Sequence, residues 1–458
     1  MLVIKIPVGI VPRGKPAFSQ SGTAIELNIP NHFGNSNMIA AISRKQQSNK
    51  RSIMHGLLAY GSAELVNRVV RILVVVVIAR QLVPELVGVA ALTLSLFELT
   101  RVLANIGVGQ KIISASDDAL ESICNSAIGI FWFWCSMVAV VQLSVAGVLF
   151  LVFHQTLAAQ MLAVLSGVYF FMPGGLVQCF RLMRAQKLAT VAKIGATQTI
   201  ADHLITGALI LAWANPWAII LPKLLTAPLW LIMMRRAESW SANPLHGFAN
   251  RSEILNFGAA ILATDILLAV RNNLDKLIIS GLLGVSALGS YYFAFNAGIG
   301  IIGTLATAFG TVIYPYLCNQ NRHADDAGAL KLIISAGILA FGALSAAQYF
   351  LAPIYVPLIF GAKWVQAIPL IQILSLAGVP LLLGATASAY LRAHDKAALD
   401  AWLGLVVCIV ALSAMFVGAH FGLTQAAAGW VIGTVLIITT YSIILATRSI
   451  HTEQEYSA

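Results

Sequence analysis

The sequence predicts an all-α integral membrane protein of about twelve transmembrane helices in two six-helix lobes. Composition is the first observation behind this. The 458 residues are 59% hydrophobic and only 10% charged, with a mean hydropathy of +0.84, whereas soluble domains carry charge on about a quarter of their residues. Second, the apolar residues fall in runs of ~20, the length a helix needs to cross ~30 Å of hydrocarbon. Third, basic residues alternate from loop to loop as they do in multi-pass chains.

Residues 1–53 mix Gly, Pro, Ser and Asn, with no long apolar stretch behind a basic start. That excludes a cleavable signal peptide and reads as a polar, disordered cytoplasmic tail. Met54, just before the first run, would serve as a later start. The first lobe, 54–234, holds runs at 54–79, 86–107, 127–152, 157–179, 190–212 and 215–234. Leu82-Val83-Pro84 separates the first two, Pro173-Gly174-Gly175 interrupts the fourth, and only Asn215-Pro216 joins the last two. A basic cytoplasmic linker, 235–253, leads to the second lobe, 254–446, with runs at 254–274, 287–314, 329–351, 366–391, 397–418 and 422–446. Residues 447–458 form a second cytoplasmic tail. Connections this short leave no room for an extramembrane catalytic domain. Prolines within spans, such as Pro222, Pro228, Pro315, Pro369 and Pro380, predict kinks.

The net charge of +10 is mostly topological. Lys111, Arg181, Arg184, Lys187, Lys193, Arg235, Arg236, Arg251, Arg322, Lys331, Arg392 and Lys396 fall in alternate loops, against Arg80, Arg271, Lys276 and Lys363 in the others. The positive-inside rule therefore places both termini in the cytoplasm. No nucleic-acid partner is needed to explain the charge. The five cysteines are scattered singly, as small core residues are, and no histidine cluster suggests a metal. With no phosphate-binding loop and no nucleophile or paired-carboxylate signature, the chain is expected to be neither an ATPase nor a hydrolase and to need no cofactor. A transporter built this way would draw on an ion gradient or on its substrate's own gradient.

The two halves look related. Leu82-Val83-Pro84-Glu85-Leu86-Val87-Gly88 and Leu283-Gly284-Val285-Ser286-Ala287-Leu288-Gly289 lie 201 residues apart, by 289 − 88. Six spans per half give both halves one orientation and put a binding site between them.

Charge inside a span costs roughly 2.5–3.5 kcal/mol even on lenient scales and marks a functional candidate. Glu64, Asn67, Arg68 and Arg71 share one face of the first helix; Glu98, Arg101 and Asn105 lie along the second. Gln198 and Asp202 share a face of the fifth, with His203 beside them, and Lys223 sits alone in the sixth. The seventh carries Asp265 and Asn272 on one face and an expected structural pair, Arg271 with Asp275, at i,i+4. Arg68, Arg71, Arg101, Asn67, Asn272 and Lys223 are the substrate-binding candidates; Glu64, Asp265 and Asp202 could exchange a coupling ion or proton.

Three stretches resemble the polysaccharide transporter family of lipid-linked oligosaccharide flippases, within the multidrug, oligosaccharidyl-lipid and polysaccharide exporter superfamily. They are Ala79-Arg80-Gln81-Leu82-Val83-Pro84 leading to Gly88, with Ile106-Gly107-Val108-Gly109-Gln110-Lys111; Phe257-Gly258 with Asn272 to Ile279 and Leu283 to Ala294; and Ile359-Phe360-Gly361-Ala362-Lys363-Trp364-Val365-Gln366-Ala367 with Leu391-Arg392-Ala393. The resemblance implies a V-shaped exporter-type bundle around a cationic cavity. It implies an undecaprenyl-diphosphate-linked repeat unit, moved from the cytoplasmic to the periplasmic leaflet of the bacterial inner membrane for exopolysaccharide, capsule or O-antigen synthesis. A polysaccharide polymerase and a chain-length regulator would be the partners, and Arg68, Arg71 and Arg101 would meet the diphosphate. Two other readings remain open: an ion-coupled multidrug or small-molecule exporter, and a non-transporting scaffold of a polysaccharide assembly complex.

Overall fold

The computed structural model describes Asn67, residues 69–320 and residues 327–457. Glu64 and Arg68 lie outside the described residues, as does the tail 1–53. The described residues are helical, with no β-strand among them. In chain order they form α1 (69–81), then α2 (Pro84–Val102), α3 (Val108–Ser114), α4 (Leu120–Leu151), α5 (Thr156–Leu165), α6 (Val168–Phe171) and α7 (Pro173–Arg184). Next come α8 (Leu188–Ala212), α9 (Trp217–Leu225), α10 (Ala227–Ala237), α11 (Arg251–Ala297), α12 (Ile299–Gln320) and α13 (Ala327–Tyr355). A π turn (Val356–Phe360) and a 3-10 turn (Ala362–Ala367) lead into α14 (Ile368–Ser375), α15 (Gly378–Ala393), α16 (Ala397–Ala419) and α17 (Leu423–Ser457).

Seven helical stretches are individually long and apolar enough to cross a membrane, and nine are if each of two bent pairs counts as one span. In each of the seven, only 17–39% of an apolar 18-residue stretch is buried in the protein. Phe133, Val140 and Leu151 on α4 and Ile432 on α17 are exposed. An apolar exterior of this kind is solvated by lipid, so the chain is a multi-pass membrane protein.

Of the other expected spans, the first lies largely outside the described residues and the second, α2, carries three charges, so neither counts among these; the rest follow from three departures from straight helix. The fourth bends by 54° at Met172–Pro173, where the ring removes a backbone donor, and the tenth by 41° at Leu376–Ala377. The third departure is a reversal. Within α11, Gly284 adopts φ 84°, ψ 173°, and the Tyr291 hydroxyl donates to Asp275 Oδ2 at 3.0 Å. Along an unbroken helix those residues would stand about 24 Å apart. The stretch therefore folds back at Gly284 into two antiparallel arms, 251–283 and 285–297, the second continuing through Gly298 into α12. The break between α1 and α2 falls at Val83, extended at φ −84°, ψ 158°, ahead of Pro84 in the first turn of α2. These two turns lie 201 residues apart, by 284 − 83, and define one end of the molecule, the hairpin end.

There the halves cross. A Cβ on Gly88 would collide with the Val285 carbonyl oxygen, and one on Gly289 with that of Pro84. Both clashes join positions related by the same offset, so the crossing is self-complementary, as a two-fold axis requires. Small residues permit this approach of main chain to main chain.

At the opposite end, the linker is strapped to the first lobe. Asn125 Nδ2 donates to the carbonyls of Asn243 (2.7 Å) and Gly247 (3.0 Å), and Asn125 Oδ1 accepts from the Asn243 N–H. Ser126 donates to Ala249 O, and Trp240 Nε1 to Glu121 Oε2. Arg181 bridges Glu121 and Glu238. A buried network ties the first lobe internally: Gln142 Oε1 accepts from Thr100 (2.6 Å) and Tyr169 (3.0 Å), while its amide donates to Leu162 O. Cys124, Cys135 and Cys179 are buried in the same lobe, and Cys318 and Cys408 are half-buried.

Candidate functional site

Arg71 and Asn296 each lie 12 residues from the hairpin turns, by 83 − 71 and 296 − 284. At 1.5 Å per residue that is about 18 Å, near the middle of the hydrocarbon. The two meet across the lobes: Arg71 Nη2 donates to Asn296 Oδ1 at 2.7 Å. The guanidinium remains exposed, and this bond engages one of its five N–H donors. Asn296 is held by its own amide, which donates to Tyr292 O.

Around Arg71 the first lobe gathers charge. His203 on α8 lies within electrostatic range of Asp202, Lys223 and Arg71. Lys223 Nζ pairs with Asp202 Oδ2 at 3.2 Å, joining α9 to α8. Glu98 and Arg101 pair at i,i+3 on α2, with Arg101 Nε 3.1 Å from Glu98 Oε2 and Lys223 within electrostatic range. Asn67 Oδ1 and Asp202 Oδ1 are buried without a donor among the described residues. Such acceptors favour a bound cation, proton or water.

A second cross-lobe contact joins Asn105 Nδ2 to Asp265 Oδ2 at 2.6 Å. It stands 22 residues from one turn and 19 from the other, by 105 − 83 and 284 − 265, so it lies roughly 30 Å from the hairpin end, near the far edge of the hydrocarbon. Asp265 is thus engaged with the first lobe, apart from the Arg71 cluster. Asn272 is exposed on the first arm of α11 and contributes its carbonyl to Lys276 Nζ.

The expected Arg271–Asp275 pair does not form. Asp275 is buried, pairs with the adjacent Lys276 at 3.0 Å and accepts from Tyr291. Arg271 is exposed and directed toward Gly404 of α16. The reversal at Gly284 is the cause: it places the second arm, with Tyr291, against the Asp275 face. Asn296 escaped sequence reasoning because a single amide in an apolar run carries no periodic signal, and its partner is 225 residues away.

Two lobes of membrane helices meeting about a two-fold crossing, with charged groups at mid-depth between them, define an exporter-type bundle. The chain belongs to the polysaccharide biosynthesis protein family, whose sequence profile matches residues 77–369. It is 27% identical over 188 residues to the lipopolysaccharide biosynthesis protein WzxC of Escherichia coli (strain K12), covering 40% of this chain and 37% of that relative. To an uncharacterized membrane protein in the cps region of Klebsiella pneumoniae it is 23% identical over 373 residues, 78% of this chain and 74% of the relative. Among solved structures it is similar to the lipid II flippase MurJ in an inward closed conformation, with a TM-score of 0.68 and 13% identity over 85% of this chain and 87% of that one. It is also similar to an inward-facing multidrug resistance MATE family transporter, with a TM-score of 0.64 and 16% identity over 85% and 96%. At these identities the likeness is one of fold, and one fold serves both substrates.

Proposed function

We propose that this protein is a transporter, not an enzyme, that flips an undecaprenyl-diphosphate-linked oligosaccharide repeat unit from the cytoplasmic to the periplasmic leaflet. It would act in the bacterial inner membrane, with both termini in the cytoplasm, by alternating access. The observation that carries this reading is the exposed Arg71 guanidinium at mid-membrane depth between the lobes. A diphosphate needs charge-assisted donors, and a planar fork supplies them in pairs. Lys223 and Arg101, already paired with Asp202 and Glu98, add positive charge that exchange of partners can release. Arg68, Asn67 and Asn272 are the other groups that would contact the substrate, Asn67 from a buried position. Glu64, Asp202 and Asp265 are the groups through which an ion gradient would couple, and a polymerase and chain-length regulator would receive the product.

The family match supports this reading, since WzxC is a lipopolysaccharide biosynthesis protein. The fold alone suits a multidrug exporter equally well, so substrate charge discriminates between the two. In proteoliposomes with an imposed ion gradient, wild type is expected to accelerate transfer of a polyprenyl-diphosphate-linked oligosaccharide. Arg71→Ala should lose most of it, by about 10- to 100-fold for the loss of a charge-assisted bond, with Arg71→Lys intermediate. Asp265→Asn should leave binding intact but uncouple transfer from the gradient. No acceleration by correctly folded wild type sinks the flippase reading.

A further inference from the structure

Each of the three stretches that carry the family resemblance has one segment at the hairpin end, although these segments lie far apart in sequence. The first, Ala79 to Gly88, supplies the end of α1 and the start of α2. The second supplies the Gly284 turn and Gly289, and also Phe293, which stacks on Trp364 with ring centroids 4.1 Å apart. The third is the segment from the π turn through Trp364.

Their contacts share one feature: each lobe satisfies main-chain carbonyls of the other. A helix leaves its last four carbonyls without intrahelical partners. α1 ends at Gln81, and Ala79 O accepts from Trp364 Nε1 at 2.7 Å while Arg80 O accepts from Lys363 Nζ at 2.8 Å. In return, the Arg80 side chain crosses to the π turn: Nε donates to Ile359 O at 2.6 Å and Nη2 to Leu358 O. Gly361, at φ 103°, ends that turn and leaves those carbonyls free to accept. The donors and acceptors are thus exchanged between lobes, beside a glycine crossing that admits no side chain. Nothing in this set touches the Arg71 cluster.

We propose that these three stretches form a reciprocal lock that holds the lobes together at the hairpin end in the state described here. Its strength suits a device that must also release. Three of its four bonds come from the charged, exposed side chains of Arg80 and Lys363, whose partners water can replace as the lobes part, and only the Trp364 bond is buried. Release in a transport cycle rests on the flippase reading; the lock itself does not.

Hydrogen–deuterium exchange on the full chain in lipid nanodiscs, with no substrate, tests it. Trp364→Phe and Arg80→Met remove donors without adding bulk, and each should speed exchange severalfold in the segments facing it across the lobes, 79–90 and 356–366. Gly289→Ala should speed exchange in both segments, whereas Gly281→Ala, with open space about its Cβ, should match wild type. If Gly289→Ala fails to fold, the two donor variants decide. Wild-type exchange in folded Trp364→Phe and Arg80→Met overturns the lock, as does equal acceleration by Gly281→Ala. Because no substrate is present, either result is independent of whether the protein flips a lipid.

Discussion

At the hairpin end the two lobes are joined to each other by side-chain donors on helix-end carbonyls and by glycines at which a side chain would collide with backbone. At the linker end the dominant bonds hold the connecting strap to the first lobe, through side chains such as Asn125, Ser126 and Arg181. Both ends carry replaceable polar bonds, which fail one at a time, but the hairpin end adds a backbone crossing that a single methyl disrupts. The contrast follows from composition: the hairpins pair glycines across the lobes, whereas the strap between α10 and α11 is polar and has water as a competing partner.

Substitutions at the two ends should separate these cases. Gly88→Ala is expected to have the largest effect, several kcal/mol, because both parties to the clash are backbone and neither can rotate away. Thermal unfolding in detergent would show it, with Gly147→Ala, where the space is open, as the unchanged reference. Asn125→Ala should follow, losing three bonds to the strap at about 2–3 kcal/mol together. Its readout is faster proteolysis within 243–249, and a loss of helix packing in its place would contradict the assignment.

Much of this contrast is legible in the sequence. The spans follow from run length, and the repeat of Pro84–Gly88 at Val285–Gly289 marks the crossing 201 residues on. What the glycines are for is not legible, because a glycine in an apolar run reads the same whether it meets lipid or another backbone. The strap was hidden for a related reason: residues 235–253 read as a charged linker, and nothing local reveals that Asn125 and Ser126, within a helix, bind it. The Arg271–Asp275 expectation failed because helical spacing assumes a lone helix, and Gly284 brings Tyr291 alongside. Arg71 was legible as an in-membrane charge, but its partner Asn296 was not, since 225 residues separate them.

Smaller effects complete the comparison. Ser126→Ala removes one bond to Ala249 O and should cost about 1 kcal/mol, with slight loosening of the strap in the same proteolysis assay. Lys111→Ala should leave thermal stability unchanged, since its partner Glu253 is well exposed. The hydrogen bond from Lys111 holds the Glu253 carboxyl below its ordinary value. Whatever the pair contributes is therefore present above the ordinary carboxylate range and is lost as pH falls through the lowered value. A titration of Glu253 by NMR that moves upward in Lys111→Ala would confirm that sign.

The turn at Gly284 also bears on how the chain is made. The first arm of α11 carries Asp265, Arg271, Asp275 and Lys276, whereas residues 285–314 beyond the turn carry no charge; each charge at the centre of a helix opposes insertion by roughly 2.5–3.5 kcal/mol. With almost no loop between them, the charged arm and its more apolar successor reach the membrane as one piece, so the second arm can carry in the first. A nascent chain stopped at Gly284 should integrate the first arm poorly, and one extended past Tyr314 should integrate it well.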